Sequence, residues 1–185
     1  QQIESAEFKV NLESVNLKAL IEELSAEFRQ KWTENKGLIL KNTYKLEKLS
    51  INSDRDILKQ ILAELLLNAG KYAEPETTVT LEVDSQIKQT GTSVIIKVAN
   101  LGTGITPAEM PYIFQKFRRG TGVTDRAVPG TGLGLSLVKN LVEHIEGEIS
   151  ATSEPIAKNS SYLTCFTLLL PPTQPTPKQK LPSSK

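Results

Sequence analysis

Cysteine, histidine and methionine occur once each in these 185 residues, as Cys165, His144 and Met110. One cysteine cannot form an internal disulfide, and no cysteine–histidine set exists for a zinc site. One histidine excludes a multi-histidine metal centre and argues against a histidine-based triad. The 22 basic and 21 acidic residues leave a formal charge of +1, which offers no footprint for nucleic acid or an anionic membrane. No apolar run approaches the roughly 20 residues that cross a bilayer, and no signal peptide opens the chain. With Met110 as its only methionine, the chain reads as a piece of a longer protein. Its 38% hydrophobic and 23% charged content is that of a globular protein, and its length suits a single core.

Periodicity supplies the elements. Residues 1–14 are polar and carry no period. A helix reads from Leu17 to about Glu34, capped by Asn16 and closed by Gly37, with Leu17, Leu20, Ile21, Leu24 and Phe28 on one stripe. Short strands follow at 38–43 and 48–51. Ser53 or Asp54 caps the most regular helix, Arg55 to about Tyr72, whose core stripe is Leu58, Ile61, Leu62, Leu65, Leu66 and Ala69. Two β-type runs at 77–83 and 92–99 are joined by a polar turn around Gly91. Seven of the 11 glycines then fall between Gly102 and Gly134, with three prolines among them. A loop of that length inside a compact domain is functional or mobile. A helix from Leu133 to Ile145 and strands at 148–154 and 162–170 follow. The stretch 171–185, with five of the ten prolines and no acidic residue, is expected to be disordered. This order predicts helices on one face of a mixed sheet.

Four segments carry chemistry. On the second helix, Glu64 and Asn68 stand four apart, with Lys71 and Tyr72 three and four beyond, so all four line one edge of the apolar face. A carboxylate, an amide oxygen, an ammonium and a ring suit a metal–polyphosphate ligand bearing a flat base. A solvated flank with a Glu–Asn pair is the plainer alternative. In VANLGTGITPAEM (98–110) a strand ends at Asn100, and Gly102 and Gly104 let backbone approach a ligand or merely turn the chain. In IFQKFRRG (113–120), Phe114 and Phe117 can pin a loop while Arg118 and Arg119 reach phosphates; taken alone, a short amphipathic helix with an exposed basic end is the better explanation. In PGTGLGLSLV (129–138) the amides of Thr131 to Gly134 can face an anion at a helix N-terminus. Neither a preceding βαβ unit nor a Gly-Lys-Ser/Thr run accompanies it, so it is not a Rossmann or Walker A loop.

In this order and spacing the four segments resemble the N, G1, F and G2 boxes of the catalytic domain of sensor histidine kinases, in the superfamily of the DNA gyrase ATPase, MutL and a heat-shock chaperone. ELLLNAGKY, IFQKF, GTGLGLSLVKNLVE and the closing TCFTLLLP carry the resemblance, which covers roughly residues 12–171. It implies an α/β (α+β) two-layer sandwich, the Bergerat fold, in which a mixed sheet packs on about three helices and a mobile lid covers Mg-ATP. By the same resemblance Asn68 is the magnesium ligand, an oxygen donor of the hard kind this ion prefers. Lys71 contacts phosphate, and Tyr72 packs near the base. Asn100, Gly102, Gly104 and Ile105 form the base end of the site, with the Thr164 hydroxyl near the adenine. Phe117 with Arg118 or Arg119 belongs to the lid, and Gly130, Thr131, Gly132, Leu133, Gly134 and Leu135 cradle the triphosphate. Glu64, Asn68 and Lys71 make up the catalytic set.

Two departures from the family pattern matter. The G1 box usually opens with aspartate, whose carboxylate accepts from the adenine 6-amino group; Asn100 replaces a charge-assisted bond by a neutral one. The difference is roughly 1 kcal/mol, or about five- to tenfold in affinity. An amide can also turn and donate to a 6-carbonyl, so weaker ATP binding and weaker rejection of GTP are expected. Glu64 stands where many sensor kinases have asparagine and where the superfamily's ATPases place the glutamate that activates water. A kinase whose nucleophile is a histidine nitrogen needs no such base. His144 lies late in the third helix with no acceptor-type acidic neighbour, so it is not expected to be the phosphorylated histidine. Cys165 is expected in the core.

The resulting expectation is an ATP-binding catalytic domain at 15–171, preceded at 1–14 by the end of a helical domain and its linker and followed at 172–185 by the proline-rich tail. Its cofactors are ATP and Mg2+. Its partners are the histidine-containing dimerisation domain of the same parent and a downstream response regulator, with neither nucleic acid nor membrane touched directly. The location is cytoplasmic, whether or not the parent is membrane-anchored. A degenerate nucleotide- or partner-binding module and a hydrolysing ATPase are the alternatives.

Overall fold

The computed structural model describes residues 9–115, 134–156 and 160–172. Strand β1 (Glu13–Asn16) leads into α1 (Leu17–Lys36), followed by β2 (Ile39–Tyr44), β3 (Ser50–Ser53) and α2 (Arg55–Tyr72). The long hairpin β4 (Thr78–Lys88) and β5 (Gly91–Gly102) comes next, then a 3-10 turn at Met110–Tyr112, α3 (Gly134–His144), β6 (Glu148–Pro155) and β7 (Tyr162–Leu169). Five strands form one mixed sheet in the order β2-β4-β5-β7-β6, in which only β2 and β4 run parallel. The helices pack on one face of it, as the element order predicts.

Local chemistry sets the helix ends. Asn16 Oδ1 accepts the Ala19 N–H at 3.0 Å, and Gly37, at φ 65°, closes α1 through a hydrogen bond from its N–H to Thr33 O. Of the two candidate caps for α2, Asp54 is the one used: Oδ1 accepts from the Ile57 N–H at 3.1 Å and Oδ2 from the Asn11 N–H at 2.8 Å. The α2 stripe Leu58, Ile61, Leu62 and Leu65 is fully buried against Leu81, Ile96 and Leu168 of the sheet. Truncating any of these leucines to alanine should cost about 2–5 kcal/mol.

Three features differ from the sequence reading. Residues 13–16, where the sequence shows no period, form β1 and pair antiparallel with β3. That separate ribbon takes β3 out of the main sheet. The hairpin also runs well past the apolar stretch, to Lys88 and back from Gly91, because antiparallel partners satisfy each other's backbone whatever their side chains. Among the described residues no helix is long and apolar enough to cross a membrane. The tail from residue 173 onward lies outside the described residues.

Candidate functional site

The C-terminal half of α2 carries Glu64, Asn68 and Lys71, all half-buried, and the more exposed Tyr72. No hydrogen bond or ion pair joins the Glu64, Asn68 or Lys71 side chains to another described residue. The end of this helix is held from α1. Lys36 Nζ donates to the carbonyl oxygens of Gly70, Lys71 and Ala73 at 3.0, 2.8 and 2.9 Å, and burial lowers its pKa. The Trp32 ring lies so close to Gly70 that a Cβ there would collide with it. A cation on the last carbonyls of a helix is favourable for the same dipolar reason that places Lys71 in that turn. Burial, with the Glu109 charge second, raises the pKa of Tyr72.

The α2 terminus is stitched to the sheet at the end of β5. The Glu74 N–H donates to Leu101 O at 2.8 Å, and Ala73 bridges to Gly102. Gly102 faces the Tyr72 carbonyl, leaving no space for a Cβ, while Gly104, at φ 75°, lies against the Tyr162 ring. Both close approaches are thus made to the chain's own atoms. Ser161 Oγ completes the seam by donating to Glu74 Oε1 at 2.5 Å.

Beside this seam three polar side chains form one row across the helix-facing side of the sheet. Asn100 on β5 is the register partner of Thr164 on β7, and Thr164 that of Ser153 on β6. Asn100 and Thr164 are only 3% and 5% exposed. The Thr164 and Ser153 hydroxyl oxygens lie 2.9 Å apart, and Ser153 Oγ also accepts the Ile105 N–H at 2.9 Å. The Asn100 amide makes no hydrogen bond with any described residue. Among the described residues the side-chain atoms sealed from solvent without a partner are Asn42 Oδ1 and Ser93 Oγ, so the Asn100 amide keeps access to solvent and carries no penalty of that kind.

Helix α3 packs against α2. Its first residue, Gly134, lies against α2: a Cβ there would stand 2.9 Å from Glu64 Oε2. That places a carboxylate at the beginning of a helix, where the dipole favours negative charge. Leu135 and Ile105 are half-buried and pack on the core. Phe114 stacks edge-on against Phe166 at 6.2 Å, which ties the start of the long loop to the sheet as anticipated. Phe117, Arg118, Arg119, Gly130, Thr131, Gly132 and Leu133 lie outside the described residues.

Cys165 requires a correction. It is half-buried on the outer face of the sheet, not in the core, because strand alternation sends it away from the helices that Thr164 and Phe166 face. His144 ends α3, with Nδ1 2.7 Å from Asn140 O. Sequence reasoning passed over Ser153, Ser161, Glu74 and Lys36. Ser153 was detectable in principle, since it lies on the same alternation as Ile149 and Ala151. The others act through tertiary contacts that leave no period.

Similarities to known proteins agree with this geometry. The family described as histidine kinase-, DNA gyrase B-, and HSP90-like ATPase matches residues 53–174. The sensor protein SrrB of Staphylococcus aureus is 28% identical over 154 residues, covering 83% of this chain and 25% of its own length. The circadian input-output histidine kinase CikA of Synechococcus elongatus is 37% identical over 127 residues, covering 68% of this chain and 16% of its own. The chain therefore spans a quarter or less of these relatives. Among solved structures, full-length ShkA in complex with AMPPNP superposes with a TM-score of 0.74 at 25% identity, over 94% of this chain and 34% of ShkA. The catalytic domain of the histidine kinase ThkA has the same fold, with a TM-score of 0.63 at 24% identity, over 85% of this chain and 95% of the ThkA chain. The chain belongs to the histidine kinase-, DNA gyrase B-, and HSP90-like ATPase family.

Proposed function

We propose that this chain is the ATP-binding catalytic domain of a cytoplasmic sensor histidine kinase unit, with residues 15–171 as the working domain. Its reaction would be transfer of the γ-phosphoryl group of Mg-ATP to a histidine on a dimerisation domain of the same parent, for onward passage to a response regulator. The observation that carries this reading is the polar row Asn100–Thr164–Ser153 on the helix-facing side of the sheet, next to the seam where the end of α2, which carries Lys71 and Tyr72, is joined to β5. Asn100 and Thr164 would receive the edge of the base, and Tyr72 would pack beside it. Lys71 would place positive charge on the phosphates, joined by Arg118 or Arg119 and by amides of the glycine-rich segment Gly130 to Gly134. Most of the catalysis would be positioning and charge neutralisation.

The residues suit magnesium held largely by phosphate and water. Asn68 offers one free oxygen, and no group of three or more His, Cys, Asp or Glu among the described residues forms a protein cage. When bound, the ion neutralises charge on the transferring phosphoryl group. Calorimetric titration with ATP and ADP, with and without magnesium, tests the site. Asn68→Ala should lose at least about tenfold in magnesium-dependent affinity. Absence of nucleotide binding under every condition would overturn the reading.

Two observations favour narrower alternatives. Asn100 favours a module that binds nucleotide without transferring phosphate, to be distinguished by whether phosphohistidine forms on an added acceptor domain. Glu64 beside Gly134 favours water activation, as in the hydrolysing branch, to be distinguished by phosphate release from the chain alone. Glu64→Gln with an unaltered phosphorylation rate would leave that carboxylate a structural role.

A further inference from the structure

Asparagine can present either end of its amide, so Asn100 alone does not decide which base edge is accepted. The neighbouring hydroxyl then decides, and its direction is set by what holds it. Ser153 Oγ accepts the Ile105 N–H at 2.9 Å and stands 2.9 Å from Thr164 Oγ1. A hydroxyl that accepts a hydrogen bond becomes a stronger donor. Ser153 has one proton to give and Thr164 lies within reach of it, although at this separation either hydroxyl can be the donor. Once Thr164 accepts that proton, its own O–H is left to donate outward beside Asn100.

We propose that Ser153 is a specificity-determining positioning residue. It sets the hydrogen-bond chain Ile105 N–H to Ser153 to Thr164 so that Thr164 presents a donor to the nucleobase. The proposal rests on the base end of the site being where a nucleotide binds. A donor at that point suits the unprotonated ring nitrogen of adenine and opposes the N–H at the same position of guanine. The same serine fastens the loop after β5 to β6 through Ile105, joining the base floor to the chain that leads toward the rest of the site.

The test compares Mg-ATP and Mg-GTP affinity of the whole chain by calorimetry, in the unsubstituted protein and in Ser153→Ala, Ser153→Thr and Thr164→Val. Ser153→Ala should lower the ATP-over-GTP ratio about tenfold and speed exchange of the Ile105 amide proton. Ser153→Thr should restore the ratio. Thr164→Val keeps the shape of the strand and should lower the ratio as Ser153→Ala does, with no further fall in the double variant. Should Ser153→Ala fail to fold, Thr164→Val against Ser153→Thr carries the comparison. Equal losses for both nucleotides would reduce Ser153 to a structural tether and overturn the proposal. Absence of nucleotide binding by the unsubstituted chain would instead overturn the reading beneath it.

Discussion

At Asn100 the identity of one atom would trade stability against the recognition proposed for it. The residue is largely buried, yet its amide makes no hydrogen bond with a described residue and is not sealed from solvent, so a neutral group is tolerated there at little cost. Asn100→Asp would put a charge at the same 3% exposed position, where desolvation penalises it. The variant should bind ATP about five- to tenfold more tightly, discriminate more strongly against GTP, and lose roughly 1–3 kcal/mol of stability as the free chain. Competition binding and urea denaturation measure the two effects. An unchanged adenine preference would show that residue 100 does not touch the base.

At the scale of elements, the site depends on where α2 stops. Three carbonyl oxygens at its end converge on Lys36 of α1, and Trp32 fills the space that Gly70 leaves open. Lys36→Met keeps most of the apolar stem but leaves those carbonyls without their cation. It should cost roughly 1–3 kcal/mol, the range for a hydrogen-bonded charge, and fray the turn that carries Lys71 and Tyr72. Urea denaturation gives the first effect. Because Trp32 is the sole tryptophan and packs on that turn, its fluorescence reports the second. A melt indistinguishable from the unsubstituted chain would mean water replaces the ammonium without loss.

For the whole molecule, alkaline pH should be destabilising. Burial, then the hydrogen bond to Glu22, pushes the Tyr44 phenol well above its ordinary value of 10.0, and burial also raises Tyr72. A raised folded-state pKa means that the native chain keeps its proton after the unfolded chain has lost it. The corresponding stability is complete below about pH 10 and falls as pH rises toward the folded-state value. Tyr44→Phe removes one of the raised groups and should flatten the fall above about pH 10, read from denaturation midpoints. An equal slope in both proteins would assign the alkaline loss to other groups. Ligand linkage acts in the opposite direction: Mg-ATP at about a hundredfold its Kd should add about 2.7 kcal/mol, and a tenfold weaker Asn68→Ala should remove about half of that gain.

Much of this was already written in the chain. The stripes of α1 and α2, the Asn16 and Asp54 caps, Gly37 and the alternation of β5 and β7 all follow from local chemistry, because helix and strand periods act over neighbouring residues. The spacing from Glu64 to Tyr72 likewise placed four polar groups on one helical edge, and the four motifs in order pointed to the family. What only the tertiary structure decided was contact between separate elements. The pairing of β1 with β3, the reach of the β4–β5 hairpin, Lys36 beneath α2 and the outward turn of Cys165 depend on partners in other strands and helices. So does the row Asn100–Thr164–Ser153: three strands align it, and strand order is set by how the core closes, which no local period encodes.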